Sequence, residues 1–306
     1  MNARQQTTLL TTRINCAVCG SLTARELYTA KDRLCNTDAS SIIAECSGCG
    51  VLRTLPELTD EQLGQYYPEE YWGSAEPSQK WIDSSQSEKT RFVSRCGLTG
   101  GKILDVGCGG GFFLRALDAT RWDRFGVEQG TEAAKAAERA IGAGRVVAGT
   151  MDRLPWPDSS FDVVTLWSAL EHTNQPLTNL REARRVIKPG GTLIVQVPNA
   201  ASYQARFFAG DWFALDAPRH RYHFALPLLD RLLSETGFKV YRVTYFSKAH
   251  NWHSLKQSLK TRLLANNSNA INQAVFYLSL PLVRPLDSLM SALGRGATLT
   301  LAARAV

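Results

Sequence analysis

Three glycines at alternate positions follow one short apolar segment and precede another. Gly107, Gly109 and Gly111 stand between KILDV, which contains Asp105, and FFLRAL. The first segment has the character of a strand buried on both faces, and the second predicts a helix. Glycines at a strand-to-helix turn let backbone amides approach a ligand without a side chain in the way. The sequence therefore predicts a small-molecule site at this turn, with Asp105 at its edge.

Four cysteines near the N-terminus stand in two Cys-x-x-Cys pairs, each followed by glycine. Cys16 and Cys19 form CAVCG, and Cys46 and Cys49 form CSGCG. This spacing predicts Zn2+ held tetrahedrally by four thiolates, with disulfides as the alternative. Disulfides are disfavoured because the N-terminal segment lacks the apolar core of a secretion signal. Since four thiolates leave no position for water, we expect this metal to be structural and not catalytic.

Three of the five histidines lie in two polar segments that follow predicted buried strands. His172 follows FDVVTLW, and His220 and His223 lie in the long segment after TLIVQV. Imidazole takes up a proton near neutral pH, which suits it to act as a general base. We rank His220 first as catalytic base, His223 second and His172 third. Two alternatives stay open: Arg219 and His220 hold their loop to Asp216, or catalysis rests on alignment of the reactants without a strong base.

The elements that would position these residues alternate between apolar strands and helices. After the glycine turn come RFGVE, which ends in Glu128, the helical pattern TEAAKAAERA and a third strand, RVVAG. Two further strands, FDVVTLW and TLIVQV, flank the pattern REARRVIKPGG. This alternation predicts a parallel sheet covered by helices, with ligands at the carboxyl ends of the strands. Glu128 lies about 20 residues after the glycine turn, where such sheets place the acid that binds ribose.

Four motifs in this order resemble those of class I S-adenosylmethionine (SAM) methyltransferases: DVGCGGG, RFGVE, TMDRLPWPDSSFDVVTLWSALEH and RVIKPGGTLIVQVPN. The resemblance implies SAM as cofactor. Thr150 departs from the family, which often has an acid there for the adenine amine, so the Met151 backbone or the Asp152 carboxylate would make that contact. The cofactor-binding residues that the resemblance implies are Asp105, Gly107, Gly109, Gly111, Glu128, Met151, Asp152 and Trp167.

The same resemblance implies an α/β, Rossmann-like class I methyltransferase fold with a seven-stranded, mostly parallel sheet. GFKVYRVTYF suits its sixth strand, and ATLTLAARAV suits its seventh. We expect a zinc-ribbon module over residues 1–58, a helical and aromatic connector over 59–95 and the methyltransferase domain over 96–306. The connector's aromatic residues are interpreted as packing residues: Tyr66, Tyr67, Tyr71 and Trp72.

About 50 residues separate the sixth and seventh strands, far more than the few that usually connect neighbouring strands. We assign residues 248–296 to a helical insertion beside the cleft. Its first part places four apolar residues on one helical face, and its second part is strongly apolar with two prolines. Three interpretations stay open for residues 250–295: a lid, a homodimer contact, or a peripheral membrane contact. The apolar residues of the first part are Trp252, Leu255, Leu259 and Leu263.

Charge is distributed unevenly along the 306 residues. The formal net charge is +7, yet residues 1–95 hold 10 basic against 12 acidic residues, and residues 246–306 hold seven against one. An N-terminal module without basic excess disfavours contact with nucleic acid. No apolar run reaches the roughly 18 residues of a membrane-spanning helix. We therefore expect a cytoplasmic protein, peripheral on the inner face of the membrane if the insertion binds lipid.

The whole chain also resembles bacterial SAM-dependent methyltransferases with an N-terminal zinc ribbon, a group tied to surface polysaccharide and other glycan biosynthesis. This resemblance rests on the cysteine pairs, YYPEEYW and DAPRHRYHF. It implies that the reaction is O-methylation and that the acceptor is a small-molecule sugar or a lipid-linked glycan. Sugar C-methyltransferases share a related cysteine module but carry a further C-terminal domain. The alternatives are a zinc-ribbon ribosomal RNA base methyltransferase and a SAM-binding scaffold without catalysis.

Overall fold

A computed structural model describes residues 9–10, 15–35, 37, 39–67, 79–264 and 269–306. Of the connector's aromatic residues, Tyr71 and Trp72 lie outside these ranges, so their predicted packing role stays a prediction. Residues 265–268 of the predicted insertion lie outside them too. The described residues form two sheets, joined by helices and by one long loop.

The strands are β1 Leu9–Leu10, β2 Ala24–Lys31, β3 Ser40–Cys46, β4 Leu52–Leu55, β5 Gly101–Val106, β6 Trp122–Glu128, β7 Val146–Ala148, β8 Phe161–Trp167, β9 Ile187–Pro198, β10 Tyr222–His223, β11 Phe238–Thr244 and β12 Thr298–Ala305. The helices are α1 Asp60–Gly64, α2 Gln79–Arg95, α3 Phe112–Ala116, α4 Thr131–Ile141, α5 Pro176–Val186, α6 Tyr203–Phe208, α7 Leu226–Glu235, α8 Lys248–Leu264 and α9 Ala270–Ala292.

The larger sheet has the strand order β11-β12-β9-β8-β5-β6-β7 among the described residues. The strands from β5 to β9 pair in parallel, and β12 runs antiparallel to both of its neighbours. This arrangement confirms the predicted α/β fold with a seven-stranded, mostly parallel sheet. Because β5, β6 and β8 are parallel neighbours, their carboxyl ends meet at one edge, where Asp105, Glu128 and Trp167 lie.

Helices bury both faces of this sheet. On one face, Ile103 and Val163 pack with residues of α3 and α4. On the other face, Leu104 and Val164 pack with residues of α5 and α7. All four side chains are fully buried, which explains why the strands read as continuous apolar segments. Each such aliphatic side chain contributes roughly 2 kcal/mol through its burial.

The smaller sheet has the order β1-β2-β3-β4-β10, and all its pairs are antiparallel. Its last strand is not part of the N-terminal module. Tyr222 pairs with Arg53, and His223 pairs with Leu52, so the loop after β9 completes the sheet of residues 1–58. Residues 1–58, which we call the cysteine module, therefore share a sheet with the loop after β9. The predicted boundary at residue 58 did not anticipate this pairing.

The insertion between β11 and β12 forms two helices, as predicted. Leu255 of α8 is buried, and Trp252 and Leu259 pack beside it against the loop after β9 and the cysteine module. The apolar face of α8 is thus covered by this chain, as a lid would be. In contrast, α9 leaves a row of apolar side chains exposed. Within the described part of the chain, no helix is long and apolar enough to span a bilayer.

Candidate active site

The glycine turn after β5 adopts a backbone that other residues could not. Gly111 has a φ of +75°, and a Cβ atom there would lie 3.0 Å from the Cα of Ala137 in α4. Gly107 and Gly109 also have positive φ. Such a turn carries no side chains at the edge of the sheet, so a ligand could lie directly against its backbone.

Glu128 closes this turn from the end of β6. The amide of Gly109 donates to Glu128 Oε2 at 2.8 Å, and the amide of Gly130 donates to Oε1 at 2.9 Å. The residue is 8% exposed, at the edge where the carboxyl ends of the parallel strands meet. The acid therefore lies where the sequence places a ribose-binding group, and it also holds the backbone around it.

Asp105 lies beside the turn and is buried. Thr165 Oγ1 in β8 donates to Asp105 Oδ1 at 2.6 Å. Burial raises the pKa of this carboxyl group to about 7, although the charge of Lys89 in α2 lowers it in part. Asp105 and Glu128 lie at the same edge of the sheet, and repulsion between the two carboxylates raises the pKa of Asp105 in addition to the effect of burial.

Lys89 is a site residue that the sequence analysis missed. Its Nζ lies 5.4 Å from the ring centroid of Trp167, and burial lowers the pKa of its ammonium group. Trp167 is itself buried against Phe113. Lys89 occupies a core-facing position of α2, one turn before Phe92 and one turn after Ser85. A lysine at such a position in an amphipathic pattern was the signal that could have revealed it.

The two candidates for the adenine contact have different surroundings. Met151 is half-buried and packs against the main core, whereas Asp152 is exposed. Cys108, inside the glycine turn, is buried. A Cβ atom on Gly126 of β6 would lie only 2.7 Å from Cys108 Sγ. This tight fit gives Cys108 a structural role in packing the glycine turn against β6.

Two of the predicted histidines meet at the carboxyl end of β8. The rings of His172 and His220 lie edge to face, with centroids 4.6 Å apart. His220 Nδ1 lies 3.0 Å from the carbonyl oxygen of Ala214, so Nδ1 carries the proton and Nε2 bears the lone pair. His172 Nδ1 lies 3.0 Å from the Tyr67 hydroxyl. Tyr67, predicted to be a packing residue, thus bonds to this histidine cluster.

Burial keeps these histidines neutral. It lowers the pKa of His172, and it lowers the pKa of His220 well below the ordinary value. A proton on His172 or His223 would lower the pKa of His220 further. Asp216 Oδ2 lies 3.8 Å from His220 Nε2, which is too long for a hydrogen bond. A neutral imidazole with a free lone pair can accept a proton from a bound hydroxyl group.

Glu171 is the second residue of the site to which the sequence analysis assigned no role. Its side chain is 1% exposed, and neither carboxyl oxygen has a hydrogen-bond partner among the described residues. Burial raises its pKa to about 8, so it is protonated at neutral pH. An acid directly before His172, one of the three candidate bases, was the available signal.

His223 lies apart from this pair, on the smaller sheet. Its Nε2 is 3.0 Å from Thr54 Oγ1 in β4, and the same hydroxyl donates to the carbonyl of His220 at 2.6 Å. Burial lowers the pKa of His223 to about 4. These contacts favour a role in holding the loop over a role as the base.

Two groups of side chains could be considered for a metal ion. Cys16 Sγ lies 3.8 Å from Cys49 Sγ, and Cys19 Sγ lies 3.5 Å from Cys46 Sγ. These distances exclude disulfide bonds and are close to the separation of about 3.8 Å between thiolates on a tetrahedral zinc ion. All four sulfur atoms lie within 4.8 Å of one another.

The other group is Glu171, His172 and His220, whose ligand atoms also lie within 4.8 Å of one another. It fits a cation poorly. Tyr67 occupies one nitrogen of His172, and the nearby charges of Arg219 and Arg221 lower the pKa of that ring. Positive charges that disfavour a proton on the cluster also disfavour a metal ion there.

Comparison with known proteins identifies the larger domain. Residues 104–195, from β5 into β9, match a family described as "Methyltransferase domain". The chain carries a SAM-dependent methyltransferase domain. The ubiquinone biosynthesis O-methyltransferase of Xanthomonas campestris pv. campestris (strain B100) is 28% identical over 161 residues, which are 50% of this chain and 67% of that protein. Its counterpart in Pseudomonas aeruginosa (strain UCBPP-PA14) is 34% identical over 128 residues, covering 39% and 49%.

A solved structure shows the same fold as this methyltransferase. It is a SAM-dependent methyltransferase from Thermotoga maritima, described as a possible histamine N-methyltransferase, and it is 19% identical. The match has a TM-score of 0.50 and covers 80% of this chain and 98% of the other. These comparisons confirm the predicted enzyme class, whose fold implies SAM as the cofactor.

Proposed function

We propose that the methyltransferase transfers a methyl group from SAM to an acceptor hydroxyl, with His220 as the general base. The observation that carries this proposal is the neutral imidazole of His220, whose unprotonated Nε2 lies at the carboxyl end of the sheet beside a buried acid. Relatives named O-methyltransferases support oxygen as the methylated atom. A weakly acidic hydroxyl reacts faster when a base takes its proton as the bond forms.

In this proposal the cofactor supplies an electrophilic methyl group on a sulfonium ion. Glu128 would bind the ribose hydroxyls. The methionyl part would lie against the backbone of the glycine turn, whose amides donate to Val127, Glu128 and Cys108. Asp105 and Lys89 would face the amino and carboxylate groups, because they carry the matching charges. The adenine would lie beside the Met151 backbone or the Asp152 carboxylate. Trp167, whose ring lies under Lys89, would contact the methionyl end. This chain thus provides a complementary partner for each polar group of SAM.

The remaining residues would prepare the acceptor. His220 would accept the hydroxyl proton at Nε2, while its Nδ1–H stays bonded to the Ala214 carbonyl and keeps the ring in place. Protonated Glu171 would supply a hydrogen-bond donor beside it. His172, held by Tyr67, would form the neighbouring wall. Rate enhancement would come chiefly from alignment of the hydroxyl with the methyl group, with the base contributing to proton removal.

We propose a sugar or a lipid-linked glycan as the acceptor, in agreement with the zinc-ribbon methyltransferases that the chain resembles. The ribosomal RNA alternative lacks support, since residues 1–95 hold more acidic than basic residues. The scaffold alternative is disfavoured by the glycine turn and Glu128, which meet at the carboxyl ends of the strands, and by the buried histidine pair. Zn2+ on Cys16, Cys19, Cys46 and Cys49 would serve the fold of the cysteine module, because a sheet this small buries little apolar surface.

We further propose that α9 contacts an anionic membrane surface. Seven apolar side chains are exposed at intervals of three and four residues, and they form one row: Ile271, Val275, Leu278, Leu282, Leu286, Leu289 and Leu293. Asp287, the acid of α9, is buried and accepts bonds from Tyr203 and Gln204. An apolar row without exposed acids can enter the boundary between headgroups and acyl chains. The basic excess of residues 246–306 would attract anionic headgroups.

The experiment for the catalytic proposal compares His220→Asn with His253→Asn, a histidine of α8 outside the cluster. Methyl transfer to glycan acceptors is measured as formation of the demethylated cofactor product, and SAM affinity is measured by calorimetry. We expect His220→Asn to lower turnover about 100-fold, the usual contribution of a general base, with SAM affinity within threefold of wild type. Turnover close to that of His253→Asn would refute His220 as the base.

The membrane proposal is tested by sedimentation with vesicles that contain one-third phosphatidylglycerol. We expect Leu278→Glu/Leu282→Glu to abolish cosedimentation, while Leu22→Glu, at an exposed leucine of the cysteine module, leaves it unchanged. An intact protein that does not sediment with vesicles would contradict the proposal. Concentration-dependent dimerisation that the same double substitution removes would assign α9 to a second copy instead.

A further inference from the structure

A second concave site lies where the cysteine module meets the loop after β9. It is a groove of about 370 Å³, a size within the range of small-molecule sites. It runs between the end of β2 on one side and the end of α6 on the other, with α8 at its rim. It is lined by Thr29, Lys31, Arg33, Phe207, Phe208, Ala209, Gly210, Asp211 and Arg262. We name this surface the junction groove.

Three cations line the junction groove: Lys31 at the end of β2, Arg33 in the loop that follows it, and Arg262 in α8. The acid among the lining residues is Asp211, whose Oδ1 accepts from Arg33 Nη2 at 2.8 Å. Since one carboxylate offsets one of three cations, the groove keeps a local excess of two positive charges. Arg33 Nε is buried and has no hydrogen-bond partner among the described residues.

Arg262 is held in one orientation. Its Nη1 donates to the carbonyl of Phe207 at 2.7 Å, and its guanidinium carbon lies 5.1 Å from the centroid of the Phe207 ring. The ring of Phe207 is 64% exposed, so it offers an apolar face next to the cations. A guanidinium group fixed in this way loses little entropy when it binds an anion.

The backbone of the groove is strained. Ala209 has a φ of +47°, which is uncommon for a residue with a side chain and costs of order 1 kcal/mol or more. The next residue, Gly210, touches β2 so closely that a Cβ atom there would lie 2.0 Å from the Thr29 carbonyl oxygen. Strain of this kind is concentrated at binding sites, where neighbouring contacts over-determine the backbone.

We propose that the junction groove binds the phosphate or diphosphate group of the acceptor, a step that rests on the proposed glycan function. Two guanidinium groups and an ammonium group match phosphate oxygens, which guanidinium binds in a bidentate manner. The exposed face of Phe207 would contact the adjoining apolar or sugar part. Arg33 is the neighbour of Asp32, which binds Arg219 next to His220 in the sequence. The groove would therefore anchor the acceptor through the same loop that carries the base.

The test uses the full-length protein saturated with the demethylated cofactor, so that the cofactor cleft is filled. Inorganic pyrophosphate is titrated by calorimetry at 50 mM salt into wild type, Lys31→Ala/Arg262→Gln and Lys256→Ala, a matched control on the exposed side of α8. We expect the double variant to bind pyrophosphate at least tenfold more weakly and the control to stay within twofold of wild type. Geranyl diphosphate distinguishes a lipid-linked acceptor from a soluble one. Tighter binding of geranyl diphosphate than of pyrophosphate would indicate a lipid-linked diphosphate, and equal binding of the two would indicate a soluble acceptor.

Absence of pyrophosphate binding, or equal weakening in Lys256→Ala, would overturn the proposal. Methyl transfer by the same preparations separates the two hypotheses. If the double variant loses pyrophosphate binding but methylates glycans as wild type does, the groove does not hold the acceptor, and the proposed glycan function stands. If wild type binds pyrophosphate tightly but methylates no glycan, the proposed acceptor class is wrong, and the groove remains a phosphate site.

Discussion

Arg219 of the loop after β9 forms a fully buried ion pair with Asp32 of the cysteine module, in which Arg219 Nη1 lies 3.1 Å from Asp32 Oδ2. The same guanidinium group donates to Asp216 and to the carbonyl of Tyr66. Arg219 thus ties the N-terminal module to the residue that precedes His220. The predicted bond between Arg219 and Asp216 is present, but Asp32 is an additional partner that no local pattern indicated.

Loss of this partner should destabilise the protein. Asp32→Asn leaves Arg219 buried with one carboxylate, and we expect the free energy of unfolding to fall by about 3–5 kcal/mol, the usual cost of breaking a buried pair. Urea denaturation measures the change. The control is Arg25→Gln, which removes the exposed ion pair of Arg25 with Glu45 and should cost less than about 1 kcal/mol. Equal losses in both variants would contradict a special role for the buried pair.

Glu128 is expected to act on SAM affinity. Glu128→Ala removes the acceptor of two backbone amides and the predicted ribose contact, so we expect SAM to bind at least 30-fold more weakly, which corresponds to about 2 kcal/mol. Calorimetric titration with SAM measures this. Glu132→Ala, at an exposed acid of α4, should bind SAM as wild type does. Unchanged affinity in Glu128→Ala would rule out the ribose assignment.

The cysteine cluster should bind one zinc ion per chain. Elemental analysis of purified wild type would show this, and Cys46→Ser should lower both the zinc content and the thermal midpoint. Burial raises the pKa of the Cys16 and Cys49 thiols, whereas the backbone amides of Cys49 and Gly48 lower the pKa of the Cys46 thiol to about 6 against the effect of burial. Because thiolates are the ligands, zinc binding should release protons from the cluster. Cys96→Ser is the control outside the cluster. Zinc-free wild type that stays folded would count against a structural metal.

Glu171 should make stability depend on pH. A carboxyl group with a raised pKa keeps a proton in the folded state that the unfolded chain releases, so the free energy of unfolding falls as pH rises from 4.5 to about 8. We expect Glu171→Gln to be roughly 2–4 kcal/mol more stable than wild type at pH 8 and nearly equal to it at pH 4.5. Urea denaturation at both values measures the difference. The exposed variant Glu235→Gln should show no such change, and a pH-independent effect of Glu171→Gln would refute a buried, protonated acid.

Local sequence patterns identified much of the fold. The glycine turn, the acid at the end of β6 and the two cysteine pairs depend on residues that are contiguous or closely spaced, so their types and spacing are sufficient to reveal them. The sixth and seventh strands were likewise predicted, on the resemblance to class I methyltransferases. The junction at β10 was missed, because two residues carry no periodicity that could indicate pairing with β4.

The sequence by itself determined the α/β methyltransferase core, the cofactor edge of the sheet and the grouping of the four cysteines. Only the tertiary structure decided that His172 and His220 face each other, that Lys89 lies against Trp167, and that α8 is covered while α9 is exposed. These contacts join residues dozens of positions apart. Their formation depends on how helices and loops pack over the sheet, and the free energy of that packing is spread over many side chains that no single motif contains.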